Sequence, residues 1–447
     1  MTAMGAMTAM AATAATTADE PPGAQEPDFQ DRVGALCGLH AALWAATPAE
    51  LPLLGPRVGL RRHFANARAA RRLIDELAVE LEQAPEGERE RQAWREQVRE
   101  RLQRFGDERL GWPAGYRRLL FADAFFAASV AFAREARAFD PGLPLESLWQ
   151  ALRNVWIGNS LQIVLDLPVA LNPGLFAYSM LYPLTDNLLD DPRVESGAKR
   201  AFNERFGRRL AGLAVWPAGA GEAAIFRLVE RIEGEFPRHA YADVHESLLA
   251  IHGGQVLSLR QQDDPGLTDA EILAISCEKG GTSVLADLYL VAGRASASEE
   301  RFAFGYGVAL QLLDDLQDVE SDLAAGHQTL FTRAARRGPL DAPASRLARF
   351  IDRVLDGEEW LATPGLAERK DLIRRNCRTL LVGAVAEQPR RFSRRFRRTL
   401  TRRWPFAFRA MRRLRRRAAK RYQAAAARQH PGSGAASPLD RLLSQED

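Results

Sequence analysis

Lysine is scarce in this chain. Of its 447 residues, 61 are basic, and four of those are lysines: Lys199, Lys279, Lys370 and Lys420. A lysine is therefore an unusual choice wherever one stands. Cysteine is scarcer still. Cys37, Cys277 and Cys377 are odd in number, far apart and without metal-ligand spacing, which excludes a disulfide-framed fold and a thiolate metal centre. They read as ordinary reduced thiols. No apolar run approaches the ~18 residues of a membrane-spanning helix; the richest, LFADAFFAASVAFA at 120–133, is too short and includes an aspartate. The first basic residue is Arg32, so the Ala/Thr/Met-rich start lacks the charged region of a signal peptide. These absences lead to the expectation of a cytoplasmic protein. Strand-like alternation bounded by turn signals is missing, as is a glycine-rich phosphate loop.

What remains is helix. With 46% hydrophobic and 26% charged residues the chain has a globular composition. The segments 67–83, 117–138, 269–292 and 301–324 all carry apolar residues at three- and four-residue spacing. The expected fold is all-α, a many-helix bundle around a central cavity, a natural place for a metal site built from facing helices. Residues 1–28, low in complexity and holding Pro21, Pro22 and Pro27, are expected to be disordered. Residues 29–389 then form the helical domain. Residues 390–447 form a basic helical segment with a disordered end; 390–421 hold 16 Arg and Lys and no acid, so the rest of the chain is net acidic.

The stretch LQLLDDLQDV at 310–319 places three aspartates on one helix. Taking Asp314 as zero, Asp318 falls at about 40°, Gln311 at about 60°, Asp322 at about 80° and Asp315 at about 100°, one polar stripe. Leu312, Leu313, Leu316, Val319 and Leu323 fall on the opposite side. One turn earlier the stripe turns apolar, through Phe304, Gly307 and Leu310, which suits a cavity with an oily floor and a charged mouth. A second acidic cluster lies in LYPLTDNLLDDPRV at 181–194, with Asp186, Asp190 and Asp191. Pro192 should end the helix at Asp191, leaving these acids at the negative end of the helix dipole. That placement costs roughly 0.3 to 1 kcal/mol per charge unless a cation compensates. Two such clusters repel within themselves unless a divalent cation sits between the carboxylates. Oxygen-only ligands favour magnesium, bridging to a phosphate-bearing substrate.

These residues resemble the class I isoprenoid synthase superfamily, most closely the trans-prenyl diphosphate synthases. FGYGVALQLLDDLQDVESDLAAGHQTL at 304–330 resembles the second aspartate-rich motif of that family, with Gly326 and Thr329 matching its later Gly and Thr. GGQVLSL at 253–259 resembles its Gly-Gln helix, CEKGGTSVLADLYLVAG at 277–293 its lysine helix, and Asp186 to Asp190 its first Asp-Asp-x-x-Asp motif, with Asn187 in place of the second acid. The similarity covers roughly 145–335. Two departures stand out. Where chain-elongating members carry a Gly-Lys-Arg-x-Arg-Pro-like segment, this chain reads ALRNVWIGNS, with Arg153 the one basic candidate, and Gly280 and Gly281 separate Lys279 from Thr282.

The resemblance implies an isoprenoid synthase fold and a magnesium cluster. Asp186, Asp190, Asp314 and Asp318 would be catalytic and metal-binding, with Asp191 and Asp315 in support. Lys279, Gln311, Gln255, Thr282 and Tyr182 would contact an allylic prenyl diphosphate, and Tyr178 lies one turn deeper. The implied reaction is that of a terpene synthase. A chain-elongating synthase that uses isopentenyl diphosphate and a non-catalytic helical relative both stay open. Family analogy also implies a homodimer. Residues 390–421, with Phe392, Phe396, Trp404, Phe406 and Phe408 interleaved, are read as a peripheral contact with anionic membrane, and no specific nucleic-acid partner is expected.

Overall fold

The computed structural model describes residues 27–429, apart from residues 53, 83, 84, 86, 121 and 191–194; most of the low-complexity start and the end from 430 lie outside the described residues. The architecture is all-α. In chain order the helices are α1 (Phe29–Ala45), α2 (Leu60–Glu82), α3 (Glu88–Phe105), α4 (Ala114–Leu120), α5 (Asp123–Phe139), α6 (Leu145–Val164), α7 (Pro173–Asp190), α8 (Ser196–Leu210), α9 (Ala220–Glu235) and α10 (Ala242–Ser258). They continue with α11 (Arg260–Asp263), α12 (Asp269–Ala292), α13 (Ala297–Gln317), α14 (Val319–Ala325), α15 (Leu330–Arg337), α16 (Asp341–Asp356), α17 (Pro364–Glu387), α18 (Arg394–Thr401) and α19 (Phe408–Gln429). No described helix is long and apolar enough to cross a membrane.

The bundle is organised around α12 and α13. Both start with a capping box: Thr268 Oγ1 accepts from Glu271 N at 3.2 Å while Glu271 Oε2 accepts from Thr268 N at 2.8 Å, and Ser296 and Glu299 repeat the arrangement. Each box satisfies two N–H groups that a helix start would otherwise leave unpaired. From Gly280 to Leu290 every residue of α12 except the half-buried Ser283 is buried, and the helix lies among α1, α6, α7, α10 and α13. That is why its pattern carries little amphipathic contrast.

The two central helices cross backbone to backbone. A Cβ added at Gly280 would lie 2.7 Å from Gly307 O, and one at Gly307 would strike Gly280 O and stand 3.1 Å from Gly281 Cα. Gly281 gives its space to the ring of Phe304. The two glycines that separate Lys279 from Thr282 thus let α13 approach α12 where no side chain fits.

Two expected helices are broken. The 301–324 segment is α13 and α14 joined at Asp318, which caps both (φ −98, ψ 10), because the Asp318 N–H still reaches Asp314 O while the chain turns to begin a new helix. The 117–138 segment divides into α4 and α5. The first acidic helix ends at Asp190, just before the residues ahead of Pro192. Residues 390–408, set apart in the sequence by charge, contribute Phe392, Phe396, Leu400 and Phe408 to the same core as α12.

Candidate active site

The last two turns of α13 carry the second acidic motif. Gln388, from the end of α17, donates from Nε2 to Leu316 O and Gln317 O, both at 2.8 Å, and so caps the helix at the point where Asp318 begins the next one. Asp315 faces inward and is 6% exposed. Its Oδ1 accepts from Gln311 Nε2 at 2.8 Å and its Oδ2 lies 3.4 Å from Ser276 Oγ. Burial, with Asp314 beside it, pushes its carboxyl up to about 7 despite the Gln311 hydrogen bond. Gln311, expected to meet substrate, is therefore engaged with its own helix.

Asp314 and Asp318 reach solvent on the other side of the motif. Protein crowds both closely enough to raise their proton affinity by desolvation, and Asp322 adds to this by repulsion. Two cations oppose the effect. Lys279, across the crossing on α12, and Arg153, on α6, both lower Asp314, and Arg153 also lowers Asp318. Neither cation has an ion-pair partner within 4 Å among the described residues. At the far edge, His327 Nδ1 lies 3.6 Å from Asp322 Oδ1, held there by the turn at Gly326, whose φ of +77 suits glycine.

A small apolar cavity lies between α7, α8 and α10. Tyr178, Tyr182 and Thr185 line it from α7, Phe202 and Phe206 from α8, and His252 and Gln255 from α10. The cavity has about 70 Å³ of free space. Gly254, beside Gln255, brings α10 onto the backbone of Lys279, since a Cβ there would lie 3.1 Å from Lys279 Cα. Cavity and cation are thus neighbours through one helix contact. Tyr182 is 40% exposed, at the cavity's outer edge; the Tyr178 hydroxyl donates inward to Ser283 O at 3.1 Å. Thr282 is fully buried and donates to Glu278 O at 2.6 Å, so its hydroxyl is spent within α12. A roomier cleft of about 330 Å³ lies elsewhere, beside Glu299 near the start of α13, where Asp166 is already paired with Arg369 at 2.5 Å. It contains none of the motif residues.

Asp186 and Asp190 are on the last turns of α7, one and two turns beyond Tyr182. Their side chains, and all of Asp191, lie outside the described residues. Among the described residues no three His, Cys, Asp or Glu side chains group closely enough to hold a metal. The donor set that can be read, Asp314 and Asp318 with Asp322 nearby, is entirely oxygen, which fits a hard divalent cation.

Sequence reasoning missed Asp287. It is wholly buried in α12, with Oδ1 accepting from Asn154 Nδ2 at 3.0 Å and Oδ2 without a hydrogen-bond partner. Asn154 Nδ2 also reaches Ser179 Oγ at 3.1 Å, which ties α6, α7 and α12 together beneath the cavity. The signal in the sequence was a lone acid inside the apolar run VLADLYLV. Pro183 was missed as well. It sits inside α7 with no N–H to give, one turn ahead of the first acidic motif.

Neither a protein-family model nor a curated protein matches the chain. Among solved structures it is similar to a geranyltransferase from Legionella pneumophila, at 16% identity and a TM-score of 0.33, over 69% of this chain and 99% of that one. A likeness of that size says nothing about the reaction.

Proposed function

We propose that this chain is a magnesium-dependent enzyme of the class I isoprenoid synthase type, which ionises an allylic prenyl diphosphate. One observation carries the reading. Asp314 and Asp318, pushed toward protonation by crowding, lie within electrostatic reach of Lys279 and Arg153, two cations that have no ion-pair partner among the described residues, and Lys279 adjoins α10, which lines an apolar cavity. A stripe of acids built only for solvation would have no use for that cavity.

Asp314 and Asp318, with Asp186 and Asp190 from the end of α7, would hold the metal. Bound magnesium supplies Lewis-acid stabilisation of the charge that builds on a departing diphosphate. Lys279 acts as a point charge toward diphosphate oxygens. Asp315, fixed by Gln311, keeps the helix end in register behind Asp314. Tyr182 and Tyr178 face the hydrocarbon end, where aromatic faces stabilise a carbocation. The leading outcome is cyclisation or quenching of that cation with release of diphosphate.

Arg153 supports a second outcome. A guanidinium facing the second motif can hold another diphosphate, as a chain-elongating enzyme requires for isopentenyl diphosphate. The test is incubation of the protein with magnesium and geranyl, farnesyl or geranylgeranyl diphosphate, with and without isopentenyl diphosphate. Hydrocarbon or alcohol formed without isopentenyl diphosphate identifies a terpene synthase. A longer diphosphate formed only with it, and lost in Arg153→Ala, identifies the elongating enzyme. No turnover under any condition, with no binding of magnesium and pyrophosphate, rejects both.

A further inference from the structure

We propose that, whatever the reaction, the outer face of α2 and α19 is a docking surface for an anionic lipid bilayer. The two helices run side by side in the same direction. Val58 N meets Arg402 O at 2.6 Å, His63 Nε2 lies 3.0 Å from Trp404 O, and Asn66 Nδ2 donates to Pro405 O at 2.9 Å. Farther along, Asp75 accepts from Arg417 at 2.6 and 2.7 Å and from Arg421 at 3.3 Å. The contacts advance together along both chains.

Helical periodicity then fixes which sides face out. On α2, His63, Asn66 and Ala70 are buried, while Leu60, Arg61, Phe64, Arg68 and Arg71 are exposed on the other side. On α19, Met411, Leu414 and Ala418 turn inward and Arg409, Arg413 and Arg416 outward. The inner side of α2 packs on α19 and the turn before it, and α19 packs in turn on α17, so the outer stripe of each helix is left to solvent. Among the described residues these stripes hold one exposed acid, Glu76.

Of the aromatics interleaved in the basic tail, Phe392, Phe396 and Phe408 take no part, because they are in the core. The apolar element comes from α2 instead. Leu60 and Phe64 are 74% and 75% exposed and stand one turn apart, in the middle of the arginines. A polyanion such as RNA would be met by the arginines alone, and an exposed leucine adds nothing to phosphate binding. An anionic bilayer uses both features, the arginines at the headgroups and the two side chains in the interface below them.

The full chain should be mixed at physiological salt with vesicles of phosphatidylcholine alone or of phosphatidylcholine with phosphatidylglycerol, and bound protein measured by sedimentation. Binding is expected to the anionic vesicles only. Leu60→Ser with Phe64→Ser, and separately Arg413→Glu with Arg416→Glu, should each weaken it by roughly tenfold. All four side chains are exposed, so circular dichroism should show an unchanged fold, and the reciprocal Phe64→Trp should bind at least as tightly as the parent. Equal binding to neutral and anionic vesicles overturns the proposal. So does full retention of vesicle binding by the Leu60/Phe64 variant, with the arginine variant losing vesicles and RNA alike, which would mark a general polyanion surface. Conversion of a dimer to a monomer by the Leu60/Phe64 variant, with vesicle binding unchanged, overturns it in favour of self-association.

Discussion

Asn154 and Asp287 form a hydrogen bond of 3.0 Å, and nothing else among the described residues reaches the buried Asp287 carboxyl. Burial raises this group well above the ordinary carboxylate range, and the Asn154 contact offsets that only in part. An unpaired carboxylate in such a place would carry a heavy desolvation cost, so folding favours the protonated form. The unfolded chain would release that proton near the usual value of 3.8. Because the folded state binds the proton more tightly, stability from this site is complete below that value and is lost as pH rises toward the folded one, by about 1.4 kcal/mol per pH unit. Asp287→Asn removes the titration while keeping the shape. Thermal unfolding from pH 5 to pH 8 should therefore show the variant gaining on the parent as pH rises; a constant difference would mean that Asp287 does not titrate in this way.

Asp314→Asn with Asp318→Asn should abolish magnesium-dependent turnover, by at least about 100-fold. The same pair should also abolish a signal that needs no turnover. Magnesium with pyrophosphate at about a hundred times its dissociation constant should stabilise the parent by about 2.7 kcal/mol in thermal melts. The double variant should show none of that shift, and its melt without ligand should be no lower than the parent's, since two crowded charges are removed.

Tyr182 stands at the outer edge of a cavity with about 70 Å³ of free space, well short of the ~300 Å³ of typical ligand pockets. Tyr182→Ala should enlarge it. The ratio of kcat/KM for geranylgeranyl over geranyl diphosphate is expected to rise about tenfold. A fall in both values with no change in their ratio would place the ring in the chemistry rather than in the wall.

Gly307→Ala should cost roughly 1 to 3 kcal/mol in chemical denaturation, since backbone lies where the methyl group would go. Gly383 in α17 is the control. Its Cβ position is open, and Gly383→Ala should stabilise the helix by up to about 1 kcal/mol.

Much of this was legible in the sequence where a local rule decides the outcome. The three- and four-residue spacing located α12 to the residue, and Pro192 located the end of α7. The acidic stripe on α13 was legible because periodicity alone places Asp314 and Asp318 on one side. What was not legible depends on partners far along the chain. Asp318 breaks its helix, although 301–324 reads as one continuous pattern, and the carbonyls freed near the break are taken up by Gln388, some seventy positions away. The polarity of Gln311 was visible, but its bond to Asp315 was not, because a helix-face amide can serve either its neighbour or a ligand. Phe392 and Phe396 looked like membrane anchors beside so many arginines, and the core claimed them instead.

The contact between Gly280 and Gly307 divides the molecule into a part that can drift and a part that cannot. Where backbone rests on backbone there is no rotamer to readjust, so the approach of α13 to α12 beside Lys279 is set by the thickness of two peptide chains. The cavity walls on α7 and α8 are side chains, which substitution can trim one at a time. On the proposed function, a lineage could therefore change its hydrocarbon substrate many times over while the end proposed to grip phosphate stayed as it was.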